Sequence, residues 1–402
     1  MALFTFKRKN PVYVLMHKDK PVLQGSFDFG RHAFGEDVEI IDPVLLPVGV
    51  THEDGTIALH KLNHWYRWRG IPGYRVGLLQ LEERLEIRDP LELLEREYAL
   101  SVSDTFWRKA VDDSITWDEV NFFHRSFDQQ GFGLAMFSNV SARAGHNARH
   151  TPNNTTCGYH RKAWFKRNGN LFLLKGGTPF YQQEPVNEWL ACRIAHQLGI
   201  QAVPYNNEIY ENNLVSVCPA MTSEDVDLVT AGDVLNSVHS DARHFQYDDY
   251  IRALESNGIK DGRQRLSDML VMDYLMMNTD RHNQNLGILV DANSGRWLQC
   301  APVFDTGTGL GCLVDDSEIF EQYHSQSCKL FNARNFSHEI LLDYIDLKRY
   351  DFNALDGLPR TYGNQLVKYQ STTNISNKRI NESYRLLCKR ILMIKKAAAS
   401  VQ

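Results

Sequence analysis

Three residues in the last third of the chain have the types and spacing that phosphoryl transfer needs: Asp280, Asn285 and Asp305. Asp280 and Asn285 lie in a polar stretch, Asn278-Thr279-Asp280-Arg281-His282-Asn283-Gln284-Asn285, after an almost unbroken apolar run from Met269 to Met277. A β-type run, Leu286 to Val290, leads out. Asp291-Ala292-Asn293-Ser294-Gly295 reads as a turn, and a second strand, Trp297 to Phe304, ends on Asp305-Thr306-Gly307. The order is buried helix, polar loop, hairpin, acidic loop. It brings the three side chains to the mouths of neighbouring elements. Phosphoryl transfer needs one carboxylate to orient the attacking hydroxyl, and an amide and a second carboxylate to hold Mg²⁺. The bland alternative has Asp280 capping a turn and His282 in the core, and the D-x-G after the hairpin weighs against it.

A second set lies upstream. Thr155-Thr156-Cys157-Gly158 is a turn of small residues, which offers backbone N–H groups to phosphate oxygens. Lys162 and Lys175 supply positive charge around the hairpin turn Arg167-Asn168-Gly169-Asn170. Lys175 closes the apolar strand Leu171 to Leu174, where a buried ammonium without a partner is costly; the alternative is that it snorkels to solvent. The next element is a helix that starts at Pro185 and ends at Gly199, with Val186, Trp189, Leu190, Ile194 and Leu198 as its apolar stripe. Glu188 lies off that stripe, beside Ala191, Cys192 and Ala195, within reach of Lys175; Glu184 is the alternative partner. A Lys–Glu pair of this kind aligns nucleotide phosphates in kinases. Val203 to Tyr210 and Leu214 to Met221 read as further strands, and the chain then turns polar, as a strand crossing between lobes would. Pro219 has no N–H, so the carbonyl of Cys218 and the N–H of Ala220 are the expected adenine contacts.

The remaining elements must support these two sets. With 402 residues, 43% of them hydrophobic and 23% charged, the chain is long enough for two or three domains without disulfides. A net charge of −5 provides no global basic field for nucleic acid or an anionic membrane. The seven scattered cysteines, with no C-x-x-C, read as reduced thiols. No apolar run reaches membrane-spanning length, so a cytoplasmic protein is expected. Residues 1–150 begin with strands Val12–Met16 and Val22–Phe27. They continue through the cluster Trp65-Tyr66-Arg67-Trp68-Arg69, read as cation–π packing or a partner surface. A helical stretch from Leu79 to Tyr98 follows, restarted at Pro90, and Trp107, Trp117, Phe122 and Phe123 suggest another helical segment. His146, His150 and His160 lack carboxylates at ligand spacing and read as surface histidines rather than a metal site. Thr306 to Cys328 suits a mobile segment. Asn377 to Ala399 reads as an amphipathic helix with a solvated basic face.

Thr155-Thr156-Cys157-Gly158 with Lys162, then Lys175, Asn187-Glu188, Asp280-x-His282-x-x-Asn285 and Asp305, resembles the HipA-like bacterial serine/threonine kinases over residues 150–335. The first 150 residues are similar, more loosely, to the N-terminal part of a HipA-like subgroup. The resemblance implies an α+β, protein-kinase-like two-lobed fold with an extra α/β N-terminal region. It divides the chain into 1–150, a β-rich lobe at 151–222 and a helical lobe at 223–402. It implies ATP and Mg²⁺, with transfer of the γ-phosphate to protein hydroxyls. Asp280 would be the catalytic base, and Asn285 and Asp305 the metal holders. Residues 155–158 would form the phosphate loop, Lys162 and Lys175 phosphate contacts, and His282 a further nucleotide-site residue. Thr155 and Thr156 would be candidates for autophosphorylation. Some family members are growth-arresting toxins held by an antitoxin, so a protein substrate and an antitoxin-like regulator are the implied partners, without direct nucleic-acid or membrane contact. Thr306 replaces the Phe of D-F-G. D-R-H-x-x-N also occurs in phosphoinositide kinases, which keeps a lipid or small-molecule kinase as the alternative, beside a non-catalytic pseudokinase or DNA-associated regulator.

Overall fold

The computed structural model describes residues 10–75, 78–85, 87–127, 137, 150–156, 158–238, 245–321, 327–332 and 336–401. Cys157, His146 and Ser325 lie outside them. The first region is an antiparallel sheet of β1 (Val12–His17), β2 (Lys20–Asp28), β3 (Ala33–Phe34), β4 (Glu39–Ile40) and β5 (Phe106–Ala110), ordered β3-β2-β1-β5 with β4 also on β2. Lys18, at φ 50, makes the tight β1–β2 turn. Helix α1 (Leu59–Trp68) covers one face. Its Tyr66 and β2's Phe27 meet edge to face at 5.2 Å, and the Arg108 guanidinium lies 4.0 Å from the Phe27 centroid. Helices α2 (Leu78–Leu85) and α3 (Leu91–Arg96) break around Pro90, as a residue that cannot sit in a helix interior demands. Trp107 corrects the expected helical segment: it lies in β5, fully buried, and only Trp117–Val120 (α4) is helical there.

The second sheet is built from β6 (Lys162–Arg167), β7 (Asn170–Gly176), β8 (Asn206–Tyr210) and β9 (Asn213–Pro219), all antiparallel in the order β6-β7-β9-β8. Asn168 and Gly169, at φ 53 and 81, form the left-handed turn that matches strand twist. Helix α5 (Glu184–Leu198) packs beside β9 and stops at Gly199, φ 67. Ile71, Leu78, Ile87 and Leu93 of the first region form one apolar cluster with Ala163, Leu174, Val215 and Val217 of this sheet.

The rest of the chain is mainly helical. β10 (Val226–Thr230) follows the polar crossing and pairs with β11 (Gly287–Asp291), which pairs with β12 (Trp297–Cys300). The strand expected to reach Phe304 thus stops at Cys300, and Val303 keeps only a parallel bridge to Ala202. Helices α6 (Ala231–Asn236), α7 (Tyr247–Ser256), α8 (Gly262–Met276), α9 (Leu358–Tyr369) and α10 (Asn377–Ser400) build the large core. α8 is buried on every side from Leu266 to Met276 and ends at Met277 in the left-handed conformation, φ 47. The basic face of α10 is not wholly solvated. Arg379 and Arg390 are fully buried, the first against Asp316 at 2.8 Å and the second against Glu339 at 2.7 Å and the Tyr274 carbonyl at 2.9 Å. Among the described residues no helix is long and apolar enough to cross a membrane.

Candidate active site

A cleft of about 660 Å³ opens between the second sheet and the helical part, with a third wall from the first region. Strand β7 carries Lys175 to its inner end, where the side chain is 5% exposed. Its ammonium donates to Glu188 of α5 and, at 2.5 Å, to Asp305. Glu184, the alternative partner, instead accepts from the Thr178 N–H at 3.2 Å. Ser216 of β9 donates to the second Glu188 oxygen, so every element around the lysine fixes its position. Burial alone would drive the Lys175 ammonium to give up its proton, but the Asp305 and Glu188 carboxylates raise its pKa well above the usual value. Burial pushes the Asp305 carboxyl up, yet Lys175 and Lys162 prevail and hold it well below the ordinary range. Asp305 itself has φ 53, with its N–H on the Tyr205 hydroxyl at 3.3 Å. Asn187, beside Glu188, donates to the carbonyls of Gly307 and Gly309 at 2.8 and 2.9 Å and pins the turn after Asp305.

The loop after α8 is held from below. Arg281 is fully buried, bonded to Asp273 at 2.9 and 3.0 Å, to the Phe304 carbonyl at 2.7 Å and to the Asn285 carbonyl. One guanidinium therefore ties the Asp280 loop to the segment that precedes Asp305. Asn278, also fully buried, accepts from the Asp280 N–H at 3.1 Å, and His338 donates to the Asn278 carbonyl at 2.9 Å. Asp280 faces the cleft, 36% exposed, with Lys329 Nζ 2.9 Å from its Oδ1. The amide nitrogen of Asn285 donates to the Asp280 carbonyl at 2.9 Å, so its amide oxygen is the end left for a ligand. His282 lines the cleft with Nε2 3.9 Å from Asp280; burial above all lowers its pKa.

The residues expected to form a phosphate loop meet the first region. Thr155 and Thr156 are buried, and their hydroxyls donate to the Pro152 carbonyl at 3.3 and 2.8 Å. Arg75, 3% exposed, donates to the carbonyls of Thr156 and, at 3.2 Å, Lys162, bridging the two ends of the loop. Glu97, fully buried, accepts from Asn154 at 2.6 Å and His150 at 3.0 Å. Gly158 has φ 112, a torsion that calls for glycine, and a Cβ there would displace only the mobile end of the Lys162 side chain. Lys162 lies directly opposite Lys175 in the β6–β7 ladder. His160 is not a surface histidine: it lines the cleft, and burial, then Lys175, push its pKa down to about 4. His150 is half-buried on Glu97, and the described residues hold no cluster of three or more His, Cys, Asp or Glu suited to a metal.

The backbone groups at the end of β9 left open to the cleft lie one residue away from those expected to meet adenine. Ala220 gives its N–H to the Leu171 carbonyl at 2.9 Å, and Cys218 faces Leu173 in the same ladder, so both are engaged with β7. Antiparallel pairing alternates, which turns the Pro219 carbonyl and the Met221 N–H to the other edge, towards the cleft both residues line. Cys218 is buried, its thiol pushed up to about 12 by desolvation. The Trp65–Arg69 cluster is internal packing on its arginine side. Arg69 lies 4.6 Å from the Trp65 ring and pairs with Asp104, while Trp68, 40% exposed, joins Trp65 in the cleft wall. For Mg²⁺ the donor set fits: one carboxylate, Asp305, and one amide oxygen, Asn285, are hard ligands of the number such an ion takes when phosphates complete its shell. Bound there, the ion would neutralise charge on those phosphates.

Arg75, Glu97, Arg281 and Lys329 escape the sequence reading. Arg281 sits inside the polar motif, but only a carboxylate one helical turn back in α8, Asp273, hints at its burial.

Residues 155–314 match the HipA-like C-terminal domain. The serine/threonine-protein kinase CtkA of Helicobacter pylori is 31% identical over 193 residues, 44% of this chain and 58% of the relative. The chain thus spans less than two thirds of that protein's length. Among solved structures, HipA in the Shewanella oneidensis MR-1 complex of HipA, HipB and operator DNA aligns with a TM-score of 0.54 and 12% identity over 96% of this chain and 99% of that one. The crystal structure of the Helicobacter pylori proinflammatory kinase CtkA gives 0.46 and 19%, over 61% and 93%. The fold is the α+β, two-lobed kinase-like fold of HipA, with the additional N-terminal region. Within it, residues 155–314 are the part similar to the HipA-like C-terminal domain.

Proposed function

We propose that this chain is an ATP- and Mg²⁺-dependent serine/threonine protein kinase of the HipA-like type. The observation that carries the proposal is the buried Lys175, held between Glu188 and Asp305 across the cleft from Asp280 and Asn285. In this reading Lys175 and Lys162 receive phosphate oxygens, and Pro219 and Met221 receive adenine. Asn285 and Asp305 hold the metal. Asp280 accepts the proton of a substrate hydroxyl as the new O–P bond forms, the bond from the γ-phosphorus to its bridging oxygen breaks, and ADP leaves. The threefold division at 150 and 222 is part of the proposal, with the first region as a support for the phosphate loop. Thr155 and Thr156 stay on the list of acceptors, but their phosphorylation requires the 152–155 turn to open, because both hydroxyls face the Pro152 carbonyl. An antitoxin-like partner belongs to the same reading, by extension from the HipA complex.

The test is transfer of labelled γ-phosphate with Mg²⁺ by wild type and Asp305→Asn, offered casein in one arm and phosphoinositide vesicles in another. Label on serine or threonine of protein, lost in the variant, is the expected result. Label on lipid alone selects the lipid-kinase alternative, and ATP binding without any transfer selects the pseudokinase.

A further inference from the structure

The Asp280 loop has an electrostatic requirement that its own residues do not meet. Phosphoryl transfer spreads negative charge over the equatorial oxygens of the moving group, next to the carboxylate that takes the proton. Two like charges at that distance call for a cation between them. Arg281 is turned away, fully buried on Asp273 and on the carbonyls of Asn285 and Phe304. His282 is the next candidate in the loop, but its Nδ1 accepts the Gln284 N–H at 3.2 Å, which a doubly protonated ring could not do. Lys162 and Lys175 lie on the sheet side of the cleft, with Lys175 directed to Glu188 and Asp305.

Lys329 supplies what the loop lacks. It follows β13 (Ser327–Cys328), which pairs with β14 (Phe336–Ser337). Cys328, Leu330 and Phe331 on either side are buried, with exposures of 2%, 1% and 0%. Phe331 packs in an aromatic nest, its ring 5.2 Å from that of Tyr250 and edge to face with Tyr247 at 6.2 Å. The backbone is thus anchored in the large core while the Lys329 side chain alone, 62% exposed, reaches the cleft and places Nζ 2.9 Å from Asp280 Oδ1. A surface ion pair of this kind contributes little to stability. An anchored ammonium at the mouth of the cleft, against the proposed base, is positioned for the reaction instead. Lys329 lies beyond the stretch matched to the family, which ends at residue 314.

We infer that Lys329 is the catalytic cation that bridges Asp280 and the transferring γ-phosphoryl group. The inference rests on the kinase reading above. Lys329 stays protonated throughout: it stabilises developing charge on the phosphoryl oxygens, and the hydroxyl proton goes to Asp280.

The experiment uses the full chain as wild type, Lys329→Ala and Lys329→Arg. It measures single-turnover γ-phosphate transfer to the protein itself and to casein, ADP affinity by calorimetry, and the melting temperature. The expected result is a transfer rate lower by on the order of 100-fold in Lys329→Ala, the loss typical of removing one preorganised transition-state donor. ADP affinity and melting should be unchanged, and Lys329→Arg should recover part of the rate. A Lys329→Ala rate equal to or above wild type overturns the inference while leaving the kinase reading intact. Loss of ADP affinity or of melting temperature in step with the rate assigns Lys329 a structural role and also overturns it. An inert wild type overturns the kinase reading, and this inference with it.

Discussion

His160 shows how much of the site's chemistry depends on single side chains. It sits in the cleft near Lys175 and Lys162, with its pKa lowered from 6.5 to about 4. The folded state therefore holds it neutral where the unfolded chain would protonate it. Its contribution to stability is complete above about pH 6.5 and is lost as pH falls from there through about 4. His160→Gln removes this dependence. Melting curves between pH 7 and 4 should show a smaller decline for the variant than for wild type, and parallel declines would contradict the assignment. At this scale the sequence was legible where chemistry is contiguous. Asp280 and Asn285 announce themselves in one loop, and Lys175 does so by ending an apolar strand. His160 was misread because burial of a histidine depends on what packs over it, here sheet and cleft residues far away in the chain. The engagement of the Ala220 N–H is set by strand parity with Leu171, which takes it, and that pairing is not local in sequence.

At the scale of elements, the proposed phosphate loop is held by a region whose sequence carries no acids or bases in catalytic spacing. Arg75 lies between α1 and α2 and reaches two carbonyls at opposite ends of the loop, and Glu97, just after α3, holds Asn154 and His150. Arg75→Met leaves both carbonyls without their charged donor, a loss of about 1.5–3 kcal/mol for such bonds. Much of that loss falls on loop order, so the Kd for ATP should rise roughly tenfold or more. Calorimetric titration of the full chain checks this, and an unchanged Kd would show that the loop keeps its shape without the clamp. Helix α5 and the hairpins were readable from their caps and turns, such as Gly199 and Asn168-Gly169, because those signals are local. The β5 strand and the short β10 were not. Trp107 and Val226 to Thr230 gain their strand character only from the neighbours β1 and β11.

At the scale of the whole molecule, the three larger sheets and the large helical core converge on one cleft. The first region closes one side, fastened at His17, Thr105 and Asp227, whose polar atoms lie 3.0–3.2 Å apart, and at the Leu228 N–H, which bonds to the Ser103 carbonyl at 2.8 Å. The two-lobed architecture was legible because the order of helix, polar loop and hairpin is carried by the chain itself. The seating of the first region was not, since it rests on apolar faces, Ile71 and Leu93 against Val215 and Val217, that any core could use. The central claim is that this cleft moves a phosphoryl group with Asp280 as the base. The most direct measurement is single-turnover γ-phosphate transfer by wild type and Asp280→Asn, with ATP affinity determined in parallel. The account predicts a rate lower by about 10²–10⁴-fold in the variant, the usual contribution of a positioned base, at an ATP affinity close to wild type. Equal rates in the two proteins would contradict it.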